Sequence, residues 1–321
     1  MKRRHTTRAR FRHDAFLGPA GLAPGYSLLE LIISVAVLLI ASSTAFTGVM
    51  TLTKSSGTIS NRAEMHAGVR NATELLQQEV GQAGRITLPA TATLSAAVAT
   101  TNSAVTVAVT SVSGMFVNEQ LVIDTGANQE TVTVTAVSTA NNTITATFVS
   151  THASGALVGA LGGFAAGVIP TTTTNGSTGS VLKIFGDLND NGSMVYVEYK
   201  CDTAGGYLYR RSMAFDAASK VAITPDMALL NNVIANPDGS ACFTYQEEVV
   251  SGTTYVVDVA ITLTVQTPEK DPLTGLYQQE TKALLNVSPR NVFNVWQMAG
   301  LGITNRVQPT PASVTTLLAG N

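Results

Sequence analysis

Gly25-Tyr26-Ser27-Leu28-Leu29-Glu30 opens the stretch that decides the fold, and residues 31–53, LIISVAVLLIASSTAFTGVMTLT, continue it without a charge. Those residues would extend about 34 Å as a helix, enough to cross the hydrocarbon core of a bilayer. A carboxylate at the centre of such a helix costs about 2.5–3.5 kcal/mol, so Glu30, at its head, needs a reason to be there. The flank before it is basic: Lys2, Arg3, Arg4, Arg8, Arg10 and Arg12 against Asp14 give residues 1–25 a charge of +5, in a chain whose total is −2. A basic flank ahead of an apolar segment stays on the cytoplasmic side, so the remainder faces the periplasm or exterior. Topology explains this charge better than a nucleic-acid arm does, and no nucleic-acid partner is expected.

A glycine followed five residues later by a glutamate, at the head of a membrane-length apolar run, resembles the type IV prepilin signature. The resemblance implies a leader over residues 1–25, cleavage after Gly25 by prepilin peptidase, and N-methylation of Tyr26 as the new first residue. It implies that Glu30 pairs with the N-terminal amine of a neighbouring subunit during assembly. The family usually has Phe or Met where Tyr26 stands, and many of its major pilins have a proline where Thr47 stands. Two other readings compete: a secretory signal cut near Ala41-Ser42-Ser43, and a plain signal anchor. Cleavable signals carry about 7–15 apolar residues, fewer than here, and an anchor needs neither Gly25 nor Glu30.

The helix is expected to run on past the membrane, over residues 26–85 in all. In TISNRAEMHAGVRNATELLQQEVGQA (58–83), Ile59, Met65, Val69, Leu75, Leu76 and Val80 fall mostly at helical spacing. Arg62, Glu64, Arg70, Glu74 and Glu79 are available for the outer face, Gly81 and Gly84 supply stop signals, and Gly48 and Gly57 are candidate flexible points. Residues 75–85, LLQQEVGQAGR, resemble the helix end of PilW-type minor pilins and of type II secretion pseudopilin J.

Residues 88–180 carry only Glu119, Asp124 and Glu130 as charges. Alternation in Ala104–Val109 and Glu130–Thr135, and a turn at Thr139-Ala140-Asn141-Asn142 into Thr143–Phe148, predict a small inserted β-module over residues 98–155. A Gly/Ala-rich connector (155–167) and a polar loop (171–180) follow. Residues 181–292 read as an antiparallel β-domain. Its strands are expected at Val181–Phe185, Met194–Tyr199, Tyr207–Ser212, Ala241–Gln246, Tyr255–Gln266 and Tyr277–Val287. Leu285-Asn286-Val287-Ser288-Pro289-Arg290-Asn291-Val292 resembles the terminal strand and Arg-Asn ending of the PilW-like class. Residues 293–321 are expected to be a tail, loose from Gln308 onward. The fold class is therefore α+β: a long N-terminal helix packed on an antiparallel sheet domain carrying an inserted β-module.

Cys201 and Cys242 are the two cysteines, and an outside compartment favours their pairing. Asp187-Leu188-Asn189-Asp190-Asn191-Gly192 followed by Glu198 fits the calcium-loop pattern D-x-[DN]-x-[DN]-G-x5-E, making Asp187, Asn189, Asn191 and Glu198 candidate calcium ligands. The context is not an EF-hand: residues 193–199 alternate as a strand, which would carry Glu198 about 20 Å from Gly192. A polar hairpin turn explains the same residues. His5 and His13 fall in the leader, and His66 and His152 have no carboxylate or thiol partner nearby in sequence. With no nucleophile elbow, phosphate loop or zinc spacing, no enzyme is expected.

What the resemblance implies is a minor pilin or pseudopilin that primes or caps a filament built from the inner membrane. Its partners would be other major and minor pilins through their N-terminal helices, the prepilin peptidase, an inner-membrane assembly platform, and membrane lipid before assembly. The competing class is a tip-displayed or membrane-anchored adhesin whose Thr-rich module touches a surface. A secreted hydrolase is the third.

Overall fold

The helical spacing is realised as one continuous element. The computed structural model describes residues 25–99 and 102–320, with the side chains of 284–286 excluded, and its helix α1 spans Leu28–Gln82. The expected leader, residues 1–24, lies outside the described residues. The chain divides into two compact units, one ending at Lys54 and one from Ser55 onward. Every described residue of the first unit, 25–54, is exposed, large apolar side chains such as Leu28, Leu38 and Leu52 included.

In the second unit α1 buries a stripe made of Met65, Val69, Ala72, Leu76 and Val80, whose spacings of three and four place them on one helix face. Ile59 is exposed and Leu75 half-buried, so they are not core. Glu79, expected on the outer face, is instead buried, for a reason given by its partners below. The helix stops because Gly84 adopts φ +82°, a conformation that L side chains rarely take, with Val292 and the Phe164 carbonyl too close to admit a Cβ. Asn291 Nδ2 donates to the Gln82 carbonyl (3.1 Å), which also accepts the Arg85 N–H, and to the Ala83 carbonyl (3.4 Å), completing the C-terminal cap from across the fold.

The module comes next: β1 (Ala92–Thr93), β2 (Ala104–Ala108), β3 (Gln120–Ile123), β4 (Glu130–Thr133), β5 (Ala136–Ser138), β6 (Thr143–Thr147) and β7 (Leu157–Ala160). They form two small sheets, β1-β7-β3-β4 and β2-β6-β5, around a core that includes Leu94, Leu121, Ile123, Ile144 and Phe148. The module is wider than its sequence reading, because β1 and β7, Ala92 to Ala160, close the first of those sheets. The stretch read as a connector thus holds β7 and β8 (Gly163–Phe164).

The helix-facing layer is made of β9 (Val181–Gly186), β10 (Val195–Asp202), β11 (Tyr207–Ala214) and β12 (Ala228–Asn231), ordered β12-β11-β10-β9. A second sheet holds β13 (Val233–Ile234), β14 (Phe243–Val250), β15 (Thr253–Gln266) and β16 (Gln279–Val287), with β15 flanked by β13 and β14 on one side and β16 on the other. All six strands read from the sequence are present. Leu182, Ile184, Val197, Tyr199, Val259, Ile261 and Leu263 join the α1 stripe in one core.

The C-terminal segment corrects the expectation of a loose tail. It forms α2 (Arg290–Gly300), β17 (Val307–Gln308) and α3 (Ala312–Ala319). Val314, Leu317 and Leu318 are buried against Phe185 and Tyr196, on the sheet face that does not meet α1. Strand β17 pairs in parallel with β8, and the fully buried Gln308 exchanges hydrogen bonds with the Gln120 backbone and donates to Leu161 O, tying the segment to the module. Helix α3 carries three buried apolar residues in eight, which a composition reading passes over because the surrounding sequence is polar and proline-bearing.

Candidate functional site

The N-terminal segment is built on a capped helix start. Ser27 sits just before α1, its Oγ accepts the Glu30 N–H at 3.2 Å, and its carbonyl accepts the Leu31 N–H at 3.1 Å. Ser27-Leu28-Leu29-Glu30 is therefore the S-x-x-E arrangement of a capping box, a signal the sequence carries and the spacing argument alone misses. The cap holds Glu30 in the first turn of α1, at the positive end of the helix dipole, where a carboxylate is favoured by about 0.3–1 kcal/mol. The cap also leaves Gly25 and Tyr26 ahead of the helix, with Tyr26 85% exposed. A Cβ built on Gly25 meets nothing within 4 Å, so no contact among the described residues demands glycine there.

Past Glu30 the helix is long and apolar enough to cross a membrane, by length and composition. Six of its hydroxyl side chains satisfy themselves within the helix. The hydroxyls of Ser34, Ser43, Thr44, Thr47, Thr51 and Thr53 each donate to a carbonyl three or four residues back, at 2.8–3.0 Å. Such back-bonding removes the desolvation cost that a free hydroxyl would bring to an apolar medium. At Thr47 the helix continues without a break.

The calcium pattern is not assembled as the spacing suggests. Asp187 is buried, and its two carboxylate oxygens each accept a backbone N–H, from Asn191 and Gly192, both at 3.1 Å. Asn191 Oδ1 accepts the Ser193 N–H, Asn189 is exposed, and Asp190 pairs with Arg85 at 2.6 Å. These are turn contacts joining β9 to β10. Glu198 is not brought to them: Val195 pairs with Gly186, but Glu198 pairs with Lys183, three steps further along the ladder or about 10 Å. Its carboxylate is taken by Arg211 (2.6 Å), Lys220 (3.1 Å) and the Tyr196 hydroxyl (2.9 Å). Burial works against its charge, but Lys220 and Arg211 prevail and hold its pKa below the usual carboxylate value. Among the described residues no group of three or more His, Cys, Asp or Glu side chains is placed to hold a metal ion.

Tertiary structure supplies partners that sequence proximity does not. Cys201, on β10, is disulfide-bonded to Cys242, just before β14, joining the two larger sheets. Glu79 is buried because Arg210 and the Tyr199 hydroxyl, from the helix-facing sheet, both bond its carboxylate. His66 on α1 meets Glu280 of β16. His152, fully buried in its side chain, lies between Asp124 (Nδ1 to Oδ2, 3.4 Å) and Glu130 (Nε2 to Oε1, 3.0 Å, without hydrogen-bond geometry). Glu130 Oε2 also accepts the Val149 and Ser150 N–H groups, so the cluster straps the β3–β4 loop to the end of the module. Among the described residues no hydroxyl or thiol nucleophile bonds His152, so the cluster lacks the second half of a nucleophile–base pair.

Compared with known proteins, the chain matches no family profile, no curated protein and no solved structure.

Proposed function

We propose that this chain is a minor type IV pilin or pseudopilin, nearest the PilW type: a structural subunit that primes or caps a filament assembled from the inner membrane. One observation carries the reading. Gly25 and Glu30 bracket the capped start of a helix whose next 23 residues are uncharged and exposed, and whose later turns pack on a β-rich domain. A fully exposed apolar helix surface needs a partner outside the chain, lipid first and neighbouring helices afterwards. Gly25, which no contact among the described residues requires, fits a cleavage position read by a peptidase. Glu30, at the capped first turn, fits a carboxylate that waits for a neighbour's amine.

The test is the mature N-terminus, by mass spectrometry of the protein from membranes and sheared filaments. A chain beginning at an N-methylated Tyr26 is the expected result. One beginning at Met1, or after residue 40, would remove the pilin reading in favour of an anchor or a secreted protein.

A second reading, a tip adhesin, has one observation in its favour: the module has a core of its own. Ala92 and Val158 are cross-strand partners, so the module can be excised at that pair and the ends closed by a short turn. Filaments that persist but no longer attach would favour adhesion, and lost filaments would favour assembly.

A further inference from the structure

The register of β9, β10 and β11 places Lys183, Glu198 and Arg211 in one cross-strand row on the face away from α1. All three are buried, at 8%, 5% and 5% exposure, and the side chain of Lys220 reaches over them at 3%. Lys200, two residues beyond Glu198, extends the row to the rim, where it is exposed. These residues line one side of a cleft of about 530 Å³, and Leu318 of α3 lines part of the other. Among the described residues four cations and one carboxylate face the cleft, a formal charge of +3.

The carboxylate does not account for these cations. Glu198 is saturated by Arg211 Nη2, Lys220 Nζ and the Tyr196 hydroxyl. Among the described residues Lys183 Nζ donates only to the Asn175 carbonyl, a neutral acceptor, at 2.8 Å. Arg211 Nη1 donates to Val221 O, while its Nε is buried with no acceptor among the described residues. A buried guanidinium N–H without a partner keeps its full desolvation penalty, and a buried ammonium bonded only to a carbonyl adds to it. Burial first, with Lys220 and Arg211 adding to it, pulls the Lys183 pKa down against the pull of Glu198. A clamp for Glu198 needs one or two cations; this cleft has four.

We propose that the cleft is a binding site for a compact oxyanion, a phosphate or sulfate group, either free or as the ester end of a small molecule, held by Lys183, Lys200, Lys220 and the free edge of Arg211. Planar guanidinium edges and convergent ammonium groups suit tetrahedral oxyanions, and the spare volume beside Leu318 suits a small organic body on the ester. The proposal is independent of the filament reading and would stand if that failed.

The experiment is calorimetric titration of the full chain in nonionic detergent with inorganic phosphate, sulfate and glycerol phosphate, at constant ionic strength with chloride as the control. Saturable one-site binding of phosphate or sulfate is expected, together with a shift of the Arg211 Nε–H resonance in ¹⁵N spectra. Glycerol phosphate binding about tenfold tighter would identify an ester-borne group as the occupant, whereas equal affinity would identify the free ion. Lys200→Gln, at an exposed position outside the Glu198 clamp, and Lys183→Gln should each weaken binding about tenfold with the melting temperature of Lys200→Gln unchanged. Absence of saturable binding, or binding that both variants leave intact, would overturn the site. So would affinity that appears only when the segment after Leu318 is removed, because the chain itself would then fill the cleft.

Discussion

The two parts of α1 share one backbone geometry and differ in everything their side chains meet. From Leu28 to Lys54 no residue is buried, although most are apolar. From Ser55 to Gln82 the helix is far more polar, yet Met65, Val69, Ala72, Leu76 and Val80 are buried and Glu79 is paired inside the protein. The first part is apolar all round, as suits a helix surrounded by apolar medium, whereas the second is apolar along one stripe, as suits a helix lying on a sheet. The lesson is that hydrophobicity alone does not locate a core. A helix that buries its side chains inside its own fold shows a stripe, and one whose partners lie elsewhere needs none.

The largest test of this contrast is at Glu30. Glu30→Ala should leave the melting of the second unit unchanged and remove the chain from sheared filaments; wild-type amounts of the variant in filaments, measured by immunoblot, would sink the assembly role. The next effect is on the second unit alone. Opening the Cys201–Cys242 bridge with Cys242→Ser should cost about 4 kcal/mol, from a loop closed over 41 residues. Guanidinium unfolding of the full chain in detergent would show it as a lowered midpoint, with no change in membrane retention.

A matched pair of truncations sharpens the comparison directly. Leu76→Ala should destabilise the β-rich unit by about 3 kcal/mol, and Leu38→Ala by less than about 0.5 kcal/mol, by the same unfolding assay. Equal losses would mean that the first part of α1 is also core.

A pH-dependent comparison sets two buried glutamates side by side. Glu79 has Arg210, whereas Glu119 is fully buried with one oxygen accepting the Phe116 N–H and the other without a partner among the described residues. Burial pushes the Glu119 pKa up to about 8, from 4.5 for an ordinary glutamate. The folded state therefore holds a proton that the unfolded chain releases. The contribution of this group is full below the unfolded pKa and is lost as pH rises toward about 8, at no more than about 1.4 kcal/mol per pH unit. Glu119→Gln should flatten the fall of melting temperature across that range, and an unchanged slope would show that the loss arises elsewhere.

Much of this was legible in residue order. The long helix follows from an uncharged run joined to a heptad-like stripe, and the six head strands follow from period-two alternation bounded by turn residues. The Asp187–Gly192 turn was legible as a turn, and the strand after it already argued that Glu198 would be carried away. What failed did so for identifiable reasons. Glu79 looked like an outer-face residue because its partner Arg210 lies 131 positions further on. His66 and His152 looked solitary because Glu280, Asp124 and Glu130 reach them only through sheet register and loop closure. The docked C-terminus was missed because its few apolar residues become core only when a sheet face is waiting for them.

The sequence by itself determined what depends on neighbours along the chain: the capped helix start at Ser27, the apolar run behind Glu30, the strand periods and the turns. Local sterics, backbone hydrogen bonding and side-chain polarity act over a few residues, so they are written in residue order. Only the tertiary structure decided which charges are paired, which sulfurs meet, that α3 covers the outer sheet face, and that Lys183, Lys200, Arg211 and Lys220 surround one cleft. Those outcomes depend on strand register, in which a shift of one residue would turn every side chain to the opposite face.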